Sequence, residues 1–177
     1  MPRPRILGGV AKGRTLQTPR RGTRPSPAKL REALFDILAF RAHGSFLDLY
    51  SGSGAVGLEA ASRGWSSTCV ERDGAASDVI GRNAAALRLE VSVVRADALR
   101  FVRAHPLEFD VVFAAPPYPA ELRAAFQAIL DANPAKPGGL YVFQHPSREE
   151  PVLTRGGTAA PVDTRRYGSN ALTLVGA

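Results

Sequence analysis

Leu47–Ala61 reads LDLYSGSGAVGLEAA, and this stretch decides the fold class. A short apolar run with strand character stops at a serine–glycine loop, and an alanine-rich helical pattern begins at once. Gly52–Gly57 spells GSGAVG, a match to the glycine fingerprint of a strand–loop–helix unit that cradles dinucleotides, and Glu71 lies nineteen residues beyond Gly52. Asp48, four residues before Gly52, changes that reading. A pyrophosphate needs backbone N–H groups and a helix N-terminus, and a carboxylate beside it would repel it. S-adenosylmethionine carries an ammonium and a sulfonium instead, and both are attracted to a carboxylate at a strand end. Ser51, Gly52, Ser53 and Gly54 are therefore expected to line a cofactor, with Gly52 and Gly54 letting the backbone approach it closely.

Outward from this loop the pattern alternates. SFLDLY (45–50), STCVE (67–71), VSVVR (91–95), FDVVFA (109–114) and GLYVFQ (139–144) read as short apolar strands. Residues 55–63, 74–88, 97–104 and 120–131 between them have helical character. Alternation of this kind predicts an α/β fold, a Rossmann-like, mostly parallel, doubly wound sheet. The tail from about Gly157 predicts a closing antiparallel hairpin that ends in NALTLV and turns through Tyr167-Gly168-Ser169. Ahead of the sheet, residues 1–25 read as an extended arm or small hairpin. Ser26-Pro27 then predicts a helix start, with Ser26 as N-cap and Pro27 in the first helical position. Leu30, Leu34, Ile37 and Leu38 share one face of that helix up to about Phe40. The 177 residues are expected to form one domain, with 1–42 as basic arm and helix and 43–177 as cofactor-binding core.

Strand ends supply the remaining candidates. Glu71, followed by Arg72, ends the second strand, where its carboxylate can accept two ribose hydroxyls. The fourth strand runs into Ala115-Pro116-Pro117-Tyr118. Two prolines cannot continue a hydrogen-bond ladder, so the chain leaves the sheet there and presents an aromatic ring and bare carbonyls to a crevice. This turn resembles the Asp/Asn-Pro-Pro-aromatic signature of S-adenosylmethionine-dependent amino-methyltransferases, with Ala115 in the position of the Asp or Asn. By the same likeness Asp97, after the third strand, stands where that class sets an acidic residue against the adenine amine, and Ala98 offers a neighbouring backbone N–H. The competing role for Asp97 is an N-cap of the next helix.

Charge points to a partner. Residues 1–42 hold ten Lys or Arg against Glu32 and Asp36, while the remainder carries thirteen basic and fourteen acidic side chains. Nearly all of the net +7 therefore sits in one segment, the footprint of a phosphate-backbone contact. No apolar run approaches the roughly 20 residues of a membrane span, and the basic N-terminus lacks a secretory apolar core. Cys69 is alone and reads as a buried inert thiol, so a cytoplasmic address is expected. No metal site is expected.

The whole arrangement resembles the RsmD family of small-subunit ribosomal RNA guanine-N2 methyltransferases. RILGGVAKGRTLQTP (5–19) resembles that family's N-terminal arm and TRPSPAKLREALFDIL (23–38) its following helix. LDLYSGSGAVGLEAASRG (47–64) resembles its cofactor loop and first helix, and RRYGSNALTLV (165–175) its closing strands. The resemblance implies a class I methyltransferase fold and S-adenosyl-L-methionine as cofactor. It implies 16S rRNA or the small ribosomal subunit as partner, a monomer, and methylation of an exocyclic guanine N2 without a covalent protein intermediate. Arg14, Arg24 and Arg31 match the family's basic positions and are expected to contact RNA or cofactor. Tyr118 would stack on the base, with Ala115, Pro116 and Pro117 shaping the catalytic turn. In the usual motif the Asp/Asn oxygen and a proline carbonyl accept hydrogen bonds from the amine, and Ala115 removes one acceptor. The reaction is then slower, or another group such as His145 or Tyr118 substitutes, or the protein is a silent rRNA- and cofactor-binding assembly factor. His145 itself reads first as a structural strand-end residue. A DNA adenine-N6 methyltransferase and a NAD-dependent enzyme fit less well, since the chain has no residues left for a base-reading domain and no hydride-site acid or base.

Overall fold

The computed structural model describes residues 3–20, 25–118 and 121–177. Five helices and nine strands follow in the order α1 (Ala28–Leu38), β1 (Ser45–Leu49), α2 (Ala55–Ser62), β2 (Ser66–Glu71), α3 (Gly74–Leu87), β3 (Val91–Arg95), α4 (Ala98–Ala104) and β4 (Phe109–Ala114) among the described residues. Then come α5 (Leu122–Ala132), β5 (Ala135–Pro146), β6 (Thr154–Arg155), β7 (Thr158–Ala159), β8 (Asp163–Tyr167) and β9 (Asn170–Gly176). The main sheet runs β3-β2-β1-β4-β5-β9-β8. Strands β1 to β5 pair in parallel, and β9 and β8 close the edge antiparallel.

Period-two alternation sends neighbouring strand residues to opposite faces. Phe46, Val111, Phe113, Leu140 and Val142 pack beneath α1 and α2. Leu47, Leu49, Val112, Ala114, Tyr141 and Phe143 pack beneath α4 and α5. With both faces covered, the central strands are largely apolar, as the sequence pattern led one to expect. Chain order reverses direction between β1 and β4, which leaves a crevice beyond their carboxyl ends, the usual ligand position in such sheets.

The N-terminal arm is a small hairpin closed by an Arg5–Thr15 bridge and docked on the helices. Ile6, Ala11 and Leu16 are buried against Leu58 of α2 and Ala84 and Leu87 of α3. Gly9 has φ 79°, and a Cβ there would fall on the Ser62 carbonyl, so the arm can lie this close only as glycine.

Three details differ from the sequence reading. Helix α1 begins at Ala28 with Pro27 as its N-cap residue and no side-chain cap. Ser26 is not that cap because its hydroxyl donates to Gln144 Oε1 at 2.9 Å instead. The fifth strand is longer than 139–144, because Ala135 already pairs with Phe109 ahead of a register shift. The small β6–β7 hairpin was not expected either; only two residues pair on each side of Gly156-Gly157.

Candidate active site

The crevice is a cavity of about 1330 Å³. Its walls come from the β1–α2 loop, the end of β2, the turn after β4, the end of β5 and the segment leading into α1. Asp48, Ser51, Gly52, Ser53, Glu71, Arg72, Ala115, Pro116, Pro117 and Tyr118 all line it. The sequence thus placed most of its candidates together, although they lie on three different loops.

Asp48 is buried at the end of β1, and its Oδ2 accepts from Gly57 N at 2.9 Å. Helix α2 has no side-chain cap of its own, since Gly54 occupies the N-cap position. Asp48 supplies the missing acceptor from the strand and places its carboxylate at the positive end of the helix. Burial nevertheless pushes its pKa up to about 7, against the pull of the Gly57 N–H and Ser51, while Glu71 adds a smaller upward push. Among the described residues no ion pair includes Asp48 or Glu71. The cavity floor therefore holds a carboxylate that gains from a cation.

Glu71 is fixed by backbone donors, with Oε1 accepting from Gly52 N at 2.9 Å and Oε2 from Asp73 N at 2.8 Å. Each oxygen keeps a further lone pair for a hydroxyl. Ser51 closes the loop by donating to the Asp48 carbonyl at 2.7 Å. Tyr50, which the sequence reading passed over, stands at φ 58° between strand and loop and lines the cavity. A non-glycine residue in this region is held there by its surroundings. Burial raises the pKa of its hydroxyl, and the Asp97 charge adds to this.

Gly54 does not border the cavity. It has φ 79°, and a Cβ there would come within 2.9 Å of Ile80 Cγ1, so the turn and α3 packing by themselves require glycine. Gly57 is the close-approach glycine: a Cβ would fall on Cys69 Sγ and lie 3.1 Å from Asp48 Oδ2. Gly57→Ala is expected to lift α2 off β1 and β2 and cost about 1–3 kcal/mol as overpacking. Urea unfolding would read this, and Gly57→Ala/Cys69→Ala should recover part of the loss. Additive losses in the double variant would show that the Cys69 contact is not the cause. Cys69 is fully buried, and burial raises its thiol pKa well above the ordinary value, in line with an inert core residue.

Sequence comparison places this geometry in a family. The sequence model of the family described as Conserved hypothetical protein 95 matches residues 4–176. The chain belongs to this family. Over 118 residues it is 38% identical to the Escherichia coli K12 protein named Ribosomal RNA small subunit methyltransferase D, an alignment covering 64% of this chain and 60% of that protein. It is 32% identical over 179 residues to Bacillus subtilis YlbH, named as a candidate rRNA methyltransferase, covering 96% of this chain and 97% of that one. The solved structure of a candidate methyltransferase from Escherichia coli superposes with TM-score 0.82 at 28% identity, covering 97% of this chain and 96% of that chain. The likeness to the RsmD family is borne out, and the architecture is the class I methyltransferase fold.

Within this family member, other candidates sit elsewhere. Asp97 caps α4, accepting from Arg100 N at 3.0 Å, and neither it nor Ala98 borders the cavity. Arg31 is not a surface contact as expected. It is buried, with Nη1 3.1 Å from Glu59 Oε1 and 2.9 Å from the Arg5 carbonyl, because α1 lays this flank against the arm and α2. Arg14 is exposed on the hairpin, bonded to the Ala86 carbonyl at 3.4 Å. Arg24 lies outside the described residues. Arg20 and Arg148, which carried no motif, are exposed and border the cavity together with Arg72. His145 is buried on the opposite side of β5, its ring nitrogens 2.9 Å from the Pro146 carbonyl and 2.6 Å from Thr173 Oγ1. It is structural and does not face the Ala115 turn.

Proposed function

We propose that this chain transfers the methyl group of S-adenosylmethionine to the exocyclic N2 of a guanine in small-subunit (16S) rRNA. The observation that carries the reading is the buried Asp48 carboxylate, without an ion-pair partner among the described residues, on one wall of a cavity whose other wall is the Ala115-Pro116-Pro117-Tyr118 turn. The donor set fits the cofactor: an anion for an ammonium, a fixed Glu71 carboxylate for a ribose diol, and a glycine backbone between them. A dinucleotide fits less well, because Asp48 occupies the helix N-terminus that a pyrophosphate would need. S-adenosylmethionine, when bound, supplies an electrophilic methyl next to a sulfonium.

The chain's own residues orient the acceptor. The turn places Tyr118 45% exposed at the cavity mouth, where a base can stack on it. The Ala115 and Pro116 carbonyls can accept from the amine and favour a nitrogen aligned for transfer. Arg14 on the hairpin and Arg20, Arg72 and Arg148 around the opening give an RNA backbone positive charge to follow. The names of the Escherichia coli and Bacillus subtilis relatives support the rRNA reading. Action as a monomer in the cytoplasm completes the proposal. No helix among the described residues is long and apolar enough to cross a membrane.

The test is incubation with methyl-labelled S-adenosylmethionine and unmodified small subunits or their naked RNA, followed by mapping of the label. One guanine methylated at N2 is the expected result. Measurable cofactor binding without any label in the RNA would sink the enzyme reading and leave an assembly factor. Label on another atom would overturn only the guanine-N2 assignment.

A further inference from the structure

Ala115 stands at the end of β4 without a side-chain acceptor, yet the strand beside it carries one. Ala114 pairs with Phe143 in the parallel β4–β5 ladder, so Ala115 and Gln144 are next in line. Phe113 and Ala115 face the cluster beneath α1, as do Leu140 and Val142 on β5. Alternation therefore sends Gln144 out on the same face as the Ala115 methyl, about 4.8 Å away across the sheet. Gln144 is only 8% exposed, and what remains open belongs to the same cavity as Pro116, Pro117 and Tyr118.

Its amide is held in place. Oε1 accepts from Ser26 Oγ at 2.9 Å, and the Ser26 carbonyl accepts from Arg31 Nε at 3.3 Å. The Tyr118 hydroxyl, on the same cavity wall, donates instead to Asn170 Oδ1 at 3.4 Å. A carboxamide oxygen has two lone pairs, so with Ser26 on one a second remains available to a ligand. A Gln on β5 is also long enough to reach the space that an Asp or Asn on β4 would fill and that alanine leaves open.

We propose that the Gln144 carboxamide supplies the acceptor that Ala115 lacks, with its Oε1 taking a hydrogen bond from the exocyclic amine of the target base. The inference rests on the methyl-transfer reading above. In the transfer the amine lone pair forms the nitrogen–carbon bond, the carbon–sulfur pair stays on sulfur, and the nitrogen's excess proton leaves to water. Gln144 accepts a hydrogen bond and takes no proton. Its effect is to hold the nitrogen lone pair out of the ring and toward the methyl.

The experiment uses the full chain, labelled S-adenosylmethionine and unmodified small subunits under single-turnover conditions. Gln144→Met keeps length and removes the amide. It is expected to lower the transfer rate about 10²–10³-fold, as for loss of one preorganised polar contact, with cofactor affinity by calorimetry and KM for the subunit unchanged. Adding Ala115→Asn to Gln144→Met should restore at least about tenfold of that loss by returning an acceptor on β4. A wild-type rate in Gln144→Met overturns the proposal. So does an equal loss in Ser26→Ala that Ala115→Asn leaves unrescued, because Gln144 would then serve only to anchor the segment before α1. If wild-type protein labels no RNA at all, the methyl-transfer reading falls and takes this inference with it. Equal transfer rates in wild type and Gln144→Met remove this inference alone.

Discussion

Asp48→Asn is expected to weaken binding of S-adenosylmethionine at least about 30-fold at pH 7.5 while leaving the unliganded protein as stable as wild type, or more so. Removing one partner of a buried charge pair costs about 2–5 kcal/mol, and about 1.4 kcal/mol is tenfold in affinity. Asparagine keeps an oxygen for the Gly57 N–H, so the cap on α2 survives. The stability sign follows from the raised pKa of about 7. The native state holds the proton more tightly than the unfolded chain, so Asp48 contributes stability that is complete below the ordinary carboxylate range. That contribution is lost as pH climbs to about 7. The substituted amide carries no such titration, and its advantage in the unliganded protein should be largest above pH 7. Cofactor affinity in the wild type should instead rise from pH 6 to about 7.5 as Asp48 ionises, then level off as the ligand's own α-amino group approaches its pKa of about 7.7–8.0. Calorimetry across this range in two buffers, alongside thermal unfolding, checks both signs. Equal affinity in wild type and variant would show that no cation meets Asp48.

The same residue shows why so much of the site could be read from sequence alone. Asp48, Glu71 and the proline turn each end a strand, and in a parallel sheet all such ends meet on one edge, so knowing the strands is enough to bring the residues together. Gln144 also lies near a strand end, but its relation to Ala115 depends on β4–β5 register and on the face each side chain takes. Its neighbour His145 has the more conspicuous chemistry and the wrong face. Asp97 fitted two roles in the sequence; the structure gives it the cap on α4, with its charge felt at Tyr50. Arg31 misled for another reason. A cation off the apolar stripe of an amphipathic helix is ordinarily solvated, and nothing local signals that Glu59, 28 residues away, will be buried against it. Long-range pairing between buried charges leaves no periodic trace.

That pairing leads to the second large effect, loss of stability in Glu59→Leu. Glu59 is fully buried and accepts four donors: Leu7 N at 2.8 Å, Gly8 N at 2.9 Å, Arg31 Nη1 at 3.1 Å and Arg63 Nε at 2.8 Å. Arg31, itself buried, has its pKa lowered first by desolvation, and the Glu59 charge opposes that shift. Removing the carboxylate leaves a guanidinium in the core with no counter-ion, for which about 3–5 kcal/mol is the expected cost. It also strands two arm N–H groups. Urea unfolding should show this loss, and Glu59→Leu/Arg31→Leu should recover part of it, since removing both charges also removes the uncompensated one. The damage should extend beyond stability. Pro19, Arg20, Pro25, Ser26 and Pro27 line the cavity, and they join the arm to α1. Faster hydrogen exchange at the Leu7 and Gly8 amides should therefore accompany weaker cofactor binding in Glu59→Leu, although Glu59 does not border the cavity. Unfolding with unchanged exchange at those two amides would place the loss in α2 and detach the arm from the site. Joint loss would show that the buried Arg31–Glu59 pair holds the basic arm in position to complete the cavity, a role for Arg31 that requires no contact with RNA.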